Sequence, residues 1–553
     1  MLKLIWRLLL FGFTLVVGWS IYRFIIRPSG PFGWDEAAHA LKGLLIAHDV
    51  KSGDWLSFLF DTYGQVYWPP LHSWLTAIAF LLWPPSTIST RIVSLILFLL
   101  TVPVIYIAAL QFRQPQKEVA ATVATLLFLT SPLIILFSAQ AMLEVPGLFF
   151  LSLTLLIYIW LNAAPRSPSA HIWLGLAIAA TYFTRTNYGV LLIVVVAITT
   201  LLDARSGRTP LFSRPNFYTI LPIAVAFAVW FAYPPKIAST LKALINEPFG
   251  INAYSLEGFL YYPNVVLHLS GSIWQSAVLV IAVIVAFRYW RNPAIRFLIA
   301  LVIVQFGLGF VHHQRVERHM LPMVPALVLI TGFVFAEWWN VQTNAVFRWL
   351  PRLATVALCV CAITALPHFL RPLGAAAHPD VVDSIVAIIA PYNSSLCLAT
   401  KDRGDLSPPL LDWHLCAEKR ILTVTHSGVA MHVEEDRKIW QLVQNARLPS
   451  ALKNELHRVL TRAEQPAKIR SIHLGLPPDA SYSTSAPGFA AFLRNMNAVT
   501  ALDSVVVVTV LNVNSRYPLD FVDGGIRAIG FEHASGHAFA GNNLQLDFYR
   551  RTP

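Results

Sequence analysis

Eleven apolar runs dominate the chain, at about 6–27, 88–111, 118–138, 145–163, 171–184, 187–202, 217–234, 272–290, 295–311, 320–339 and 350–370. A helix needs roughly 17–25 apolar residues to cross a hydrocarbon core, so these runs read as membrane spans. The runs 171–184 and 187–202 are short and abut, which suits two tightly turned helices or one broken one. Charged residues make up 13% of the chain, apolar ones 56%, and mean hydropathy is +0.58. That excludes a disordered chain, a disulfide-rich miniprotein and an ordinary cytosolic enzyme. Charge is unevenly spread. Residues 1–372 hold 24 basic and 12 acidic residues, whereas 373–553 hold 17 of each, so the whole +12 sits in the first part.

Short-loop charges set an expected orientation. Arg113, Lys117, Arg166, Arg205, Arg208, Arg214, Arg288, Arg291, Arg296, Arg348 and Arg352 fall on alternate connections, which the positive-inside rule assigns to the cytoplasm. The opposite short loops carry only Arg185, Arg315 and Arg318. Lys3 and Arg7 keep the N-terminus inside. Arg23 and Arg27 follow the first run and no small-x-small cleavage site appears, so it reads as an uncleaved anchor. An odd number of crossings then puts the tail outside.

The segment 66–83 is apolar but short and contains Pro69 and Pro70. Counting it as a crossing would invert every later loop, so it reads as a helix in the outer interface. Two long outer loops follow, 28–87 and 235–271. In the tail, 379–390, 433–446, 449–462 and 486–497 pattern as helices; 395–400, 420–426, 505–513 and 544–550 pattern as strands. The expected fold class is therefore mainly α: a polytopic transmembrane helical bundle of about 11 spans, with interfacial helices in the first outer loop and a C-terminal extracytoplasmic α/β domain. The expected domains are 1–372 and 373–553. Cys397 and Cys416 lie in the external part, where a disulfide is possible; Cys359 and Cys361 lie in the last span.

Ionisable groups beside an apolar body are costly, about 2.5–3.5 kcal/mol at bilayer depth on the insertion scale. On the outer side the chain places Asp35 and Glu36 (GPFGWDEAAHALKG), Glu144 (SAQAMLEVPG), Arg185 (TYFTRTNYG) and the cluster HHQRVERHMLP with His312, His313, Arg315, Glu317, Arg318 and His319. Carboxylates with arginines at one interface suit a reaction between an anionic lipid head group and a neutral hydroxyl. A carboxylate takes the hydroxyl proton, and guanidiniums hold the phosphate as it leaves. Glycosyl transfer from a lipid-linked phosphosugar needs both parts and no nucleotide. The same groups also suit plainer roles: Asp35, Glu36 and Glu144 as helix N-terminal charges, Arg185 as a snorkelling anchor, Arg318 as a partner of Glu317.

With those residues in view, the chain resembles the GT-C glycosyltransferases, in particular the group of protein O-mannosyltransferases and bacterial aminoarabinose (lipid A) transferases. The resemblance covers about residues 1–340. It rests on Asp35–Glu36, YGQVYWPPLHSWL, RIVSLIL from Arg91, Glu144 before a span, FTRTNYG and RHMLPMVPAL. It implies a polyprenyl-phosphate-linked sugar donor, an extracytoplasmic lipid, glycan or protein acceptor, and an inverting displacement. By position, Asp35 resembles the catalytic acid/base and Glu36 and Glu144 its acidic partners. Arg185 and Arg318 resemble donor-phosphate contacts, with His39, Tyr63, His319 and Arg315 as site neighbours. A divalent metal ion is an open cofactor, with Asp35 and Glu144 as candidate ligands.

Two positions depart from the group: Trp68 stands where aminoarabinose transferases usually carry Lys, and His319 where members often carry Tyr. Loop 235–271 lacks the acidic motif of the protein O-mannosyltransferases, which argues against a protein acceptor. A bacterial inner membrane is the expected location. The rival expectation is a transporter or flippase, in which the same charges would line a path. Transporters favour repeats and midplane charges, neither of which is evident here.

Overall fold

The computed structural model describes residues 2–30, 32–65, 68–163, 168–232, 237, 255–267, 269–311, 315–339 and 349–373. In the C-terminal third it describes 387, 395–400, 413, 423–425, 441, 443–445, 448–460, 469–474, 485, 487–491, 493–494, 504–510, 520–539 and 544–551. The chain divides into two compact units. The first comprises Met1–Pro28, Gln65–His72 and Arg91–Pro372; the second comprises Ser29–Gly64, Ser73–Thr90 and Leu373–Pro553.

The first unit is a helical bundle. It begins with α1 (Leu2–Ser20), which runs on into a π-helical turn, Ile21–Ile26. The chain then runs through α2 (Trp34–Ser52), α3 (Trp55–Tyr63) and α4 (Leu71–Leu82), which contribute mainly to the second unit. The bundle continues with α5 (Thr87–Leu110), α6 (Lys117–Leu129), α7 (Pro132–Ser138), α8 (Glu144–Ala163), α9 (Pro168–Thr184), α10 (Thr186–Arg205) and α11 (Arg214–Phe231). It closes with α12 (Leu256–Leu267), α13 (Ile273–Ala286), α14 (Pro293–Val311), α15 (Val324–Trp339) and α16 (Trp349–Ala365). Helices are what the composition requires, because in lipid each backbone N–H and C=O must find its partner inside the segment.

By length and composition seven described helices can cross a membrane: Leu4–Ile26, Thr87–Leu110, Glu144–Asn162, Thr186–Arg205, Pro293–Phe310, Glu317–Trp339 and Trp349–Phe369. The expected span 118–138 is a pair, α6 and α7, bent by 60° where Pro132 restarts the helix, and makes an eighth if counted as one. Helices also occupy the remaining expected spans, as α9, α11 and α13, but they fall short of that test, so this count stops below eleven. The protein is an integral membrane protein. At 12 residues α4 rises only about 18 Å, too little for a core of about 30 Å.

Within this unit α15 lies at the centre, almost wholly buried. It crosses α6 so closely that a Cβ on Gly332 would stand 2.3 Å from the Ala120 carbonyl oxygen. Small residues let bilayer helices approach in this way. Side-chain pairs tie the basic connections together at one end. Arg7 donates to Glu118 at 2.6 Å, and the Tyr106 hydroxyl donates to the same carboxylate at 2.5 Å. Phe333 meets both Phe112 and Tyr289 edge-on, and Arg296 pairs with Asp203 at 2.5 Å.

The second unit holds a six-stranded mixed sheet in the order β2-β3-β1-β4-β6-β5. Its strands are β1 (Ser395–Thr400), β2 (Thr423–Thr425), β3 (Ile469–Leu474), β4 (Ser504–Val510), β5 (Phe531–Phe539) and β6 (Leu544–Arg551). The first four in space are parallel, and β6 and β5 add antiparallel to β4. Two helices, α17 (Ser450–Leu460) and α18 (Asp520–Arg527), accompany it.

The segments Ser29–Gly64 and Ser73–Thr90 pack into this unit with the C-terminal third. Trp413, with no exposed surface, meets Phe32 at 5.1 Å and Phe80 at 5.7 Å between ring centroids. Leu373 N–H donates to the Ser29 hydroxyl at 2.9 Å, and Arg458 donates to Asp54 at 2.8 Å. Asp54 caps α3, and donation from the Ser57 backbone N–H holds its carboxyl down at about 2. Strands β3 and β5 and helix α18 have no counterpart in the expected elements. All of the expected helix 379–390 but residue 387, most of 433–446 and the Cys397–Cys416 pairing lie outside the described residues.

Candidate functional site

In the first unit three of the expected residues meet. Glu144 opens α8, where a helix N-terminus favours a carboxylate. Its side chain is 1% exposed. Arg185 is the N-cap of α10 in extended conformation, the single-residue break between α9 and α10. The abutting runs are thus two helices in a tight hairpin. Arg185 Nη2 stands 3.1 Å from Glu144 Oε1. Arg318 lies in a 3₁₀ segment, Glu317–Met323, that leads into α15, and its Nε stands 3.8 Å from the same oxygen.

One carboxylate between two guanidiniums leaves a net positive charge, and the α8 and α10 N-termini add to it. These helices run from this end to the opposite one, where Asp203, near the end of α10, pairs with Arg296. The hairpin depends on Gly189, whose Cβ would fall 2.4 Å from the Tyr182 Cα. Gly189→Ala is therefore expected to unseat Arg185, seen as a lower melting temperature of the purified protein.

Arg315 and His319 flank Arg318 and are engaged otherwise. Arg315 donates to the carbonyls of Gly258 (3.1 Å), Gly309 (2.8 Å) and Phe310 (3.2 Å) and lies over the Tyr262 ring. His319 Nδ1 is 3.0 Å from the Tyr262 hydroxyl. His312 and His313 lie outside the described residues.

The other expected residues belong to the second unit. Asp35 stands half-buried in the first turn of α2. Glu36 accepts the Gly33 N–H at 3.0 Å, closing the helix start as a capping carboxylate does. His39 is buried one turn on, on the same face, and Tyr63 ends α3 half-buried.

The family model for dolichyl-phosphate-mannose-protein mannosyltransferase matches residues 46–234. ArnT from Cupriavidus metallidurans in the apo state is similar over 99% of this chain and 98% of its own, at 15% identity and a TM-score of 0.60. The same protein bound to undecaprenyl phosphate matches at 14% identity and 0.53, over 98% of each chain. Archaeal AglB from Archaeoglobus fulgidus, in complex with an inhibitory peptide and a dolichol-phosphate, matches at 10% identity and 0.55, over 91% of this chain and 69% of its own. The fold is that of the GT-C membrane glycosyltransferases. Arabinofuranosyltransferase AftD from Mycobacteria matches at 14% identity and 0.55, over 99% of this chain and 40% of that longer one. No curated protein matches the chain by sequence.

On this GT-C frame one residue emerges that the sequence patterns did not single out as a site residue. Tyr188 follows Arg185 by three positions and so shares its face of α10. Its ring packs where Gly147 leaves room, and its hydroxyl is buried with no hydrogen-bond partner among the described residues. Neither expected metal ligand fits a divalent cation. Glu144 already faces two guanidiniums, and Asp35 sits at a helix N-terminus, whose partial charge opposes a cation. Among the described residues no three His, Cys, Asp or Glu gather to hold a metal ion.

Proposed function

We propose that the protein is a membrane glycosyltransferase moving a single sugar from a polyprenyl-phosphate-linked donor to an extracytoplasmic acceptor: lipid A, a cell-envelope polysaccharide or a protein hydroxyl. The observation that carries this is the pair of guanidiniums, Arg185 and Arg318, set around one buried carboxylate at converging helix N-termini. Arg185 Nε is buried and has no hydrogen-bond partner among the described residues, so donor capacity remains for a phosphate. The GT-C fold supports the reaction class. ArnT and AglB, which share that fold, are each described with a polyprenyl phosphate.

In the proposed step Asp35 takes the acceptor's hydroxyl proton and the oxygen attacks the anomeric carbon from the face opposite the phosphate. The bond from that carbon to the phosphate oxygen breaks, and the anomeric configuration inverts. Arg185 and Arg318 hold the departing phosphate, where charge builds up. Glu144 keeps the two arginines side by side. Residues 1–372 form the proposed catalytic membrane domain and 373–553 the extracytoplasmic one, in a bacterial inner membrane with the N-terminus in the cytoplasm.

The test is purified protein in vesicles with a labelled polyprenyl-phosphate sugar. Transfer of label to an acceptor is the expected result; label that crosses the bilayer still attached to its lipid would mean a flippase instead. Arg318→Ala is expected to raise the donor KM by roughly 10- to 100-fold, the worth of a charge-assisted hydrogen bond. An unchanged KM would remove Arg318 from donor binding.

A further inference from the structure

We propose that Tyr262 is a positioning residue for Arg318, acting through the imidazole of His319; this rests on the reading of Arg318 as a donor-phosphate contact. The segment that carries Arg318 needs outside support. It is a seven-residue 3₁₀ helix with Pro322 inside it, and 3₁₀ hydrogen bonds are poorly aligned, so runs beyond three or four residues are uncommon.

The support comes from α12 and α14. The Tyr262 hydroxyl and His319 Nδ1 share a buried hydrogen bond of 3.0 Å, whose proton lies on one or the other according to the imidazole tautomer. The His319 carbonyl accepts from Gln305 Nε2 at 2.6 Å. On the other flank of Arg318, the Arg315 guanidinium lies 5.2 Å from the centre of the Tyr262 ring while its donors bind three carbonyls. One tyrosine thus holds the residues on both sides of Arg318, by its ring face and by its hydroxyl.

The fit leaves no slack. A Cβ on Gly309 would stand 2.7 Å from the Met320 methyl and 3.2 Å from the Tyr262 ring. His319 is also where this chain departs from the tyrosine often found after that arginine. In this chain an imidazole stands at that position, with a tyrosine from another helix bonded to it. Arg318 itself reaches Glu144. Tyr262 bonds His319 and lies under Arg315, the residues on either side of Arg318, so it acts on the arginine's placement.

The experiment measures binding of radiolabelled undecaprenyl phosphate to the purified full chain, alongside thermal melting. Tyr262→Phe removes only the hydroxyl. It is expected to raise the Kd by about 2- to 10-fold, the range for one neutral hydrogen bond, with the melting midpoint nearly unchanged. His319→Asn, which keeps a polar partner near the Nδ1 position, is expected to bind as wild type does, whereas His319→Ala should match Tyr262→Phe. In an Arg318→Ala background Tyr262→Phe is expected to have no further effect. An unchanged Kd in Tyr262→Phe, or the same fold-change with and without Arg318, would overturn the positioning role. If Arg318→Ala binds as wild type does, the donor-phosphate reading fails, and this proposal with it.

Discussion

Asp35→Asn is expected to lower sugar transfer by about 10²- to 10⁴-fold, the contribution of a general base, with donor binding and folding retained. Folding should survive because Glu36 accepts the Gly33 N–H at the start of α2 and is left in place. Asparagine keeps the size and polarity of a half-buried group. The measurement is single-turnover transfer at saturating donor, with melting of the same preparation as control. Wild-type rates in the variant would take Asp35 out of the mechanism. Activity retained in Glu36→Gln would fit its capping role, since an amide oxygen still accepts that bond.

Glu144→Gln should have the second-largest effect, of a different kind. The carboxylate offsets two guanidiniums, so its neutral analogue leaves Arg185 and Arg318 facing each other in an apolar bundle. Removing one member of a buried ion pair typically costs about 3–5 kcal/mol; the arginines here are 13% and 22% exposed, so the cost should fall below that. The expected readings are a lower melting temperature and a drop of roughly 100-fold in kcat/KM carried mostly by KM. The double variant Glu144→Gln with Arg185→Gln should recover melting but not donor use. A pure kcat defect in Glu144→Gln, with KM and melting unchanged, would make Glu144 a reacting group instead of the arginines' organiser.

Much of the bundle was legible because the bilayer leaves so few choices. Apolar runs near 20 residues must become helices, and all eleven expected runs contain helix. The carboxylate–arginine cluster was legible for the same reason: Glu144, Arg185 and Arg318 are costly where they stand unless something holds them together. What could not be read depends on partners distant in sequence. Nothing near Tyr262 signals His319, and nothing near Trp413 signals Phe32. Arg315 has the same composition cues as Arg318, and the three carbonyls and the Tyr262 ring around it set it apart. Strand β5, FEHASGHAF, escaped because its two histidines and central glycine dilute the β pattern. Its pairing with β6 supplies what local propensity does not.

The burial of Phe32 and Phe80 against Trp413 has a consequence for biogenesis. The ribosome releases the early loop on the order of 300 residues before the tryptophan that completes its core. At roughly 5–20 residues per second the loop then waits tens of seconds with aromatic surface uncovered. A nascent chain stalled or truncated before the tail should therefore present the Asp35 helix to proteases and chaperones, even with its membrane helices already inserted.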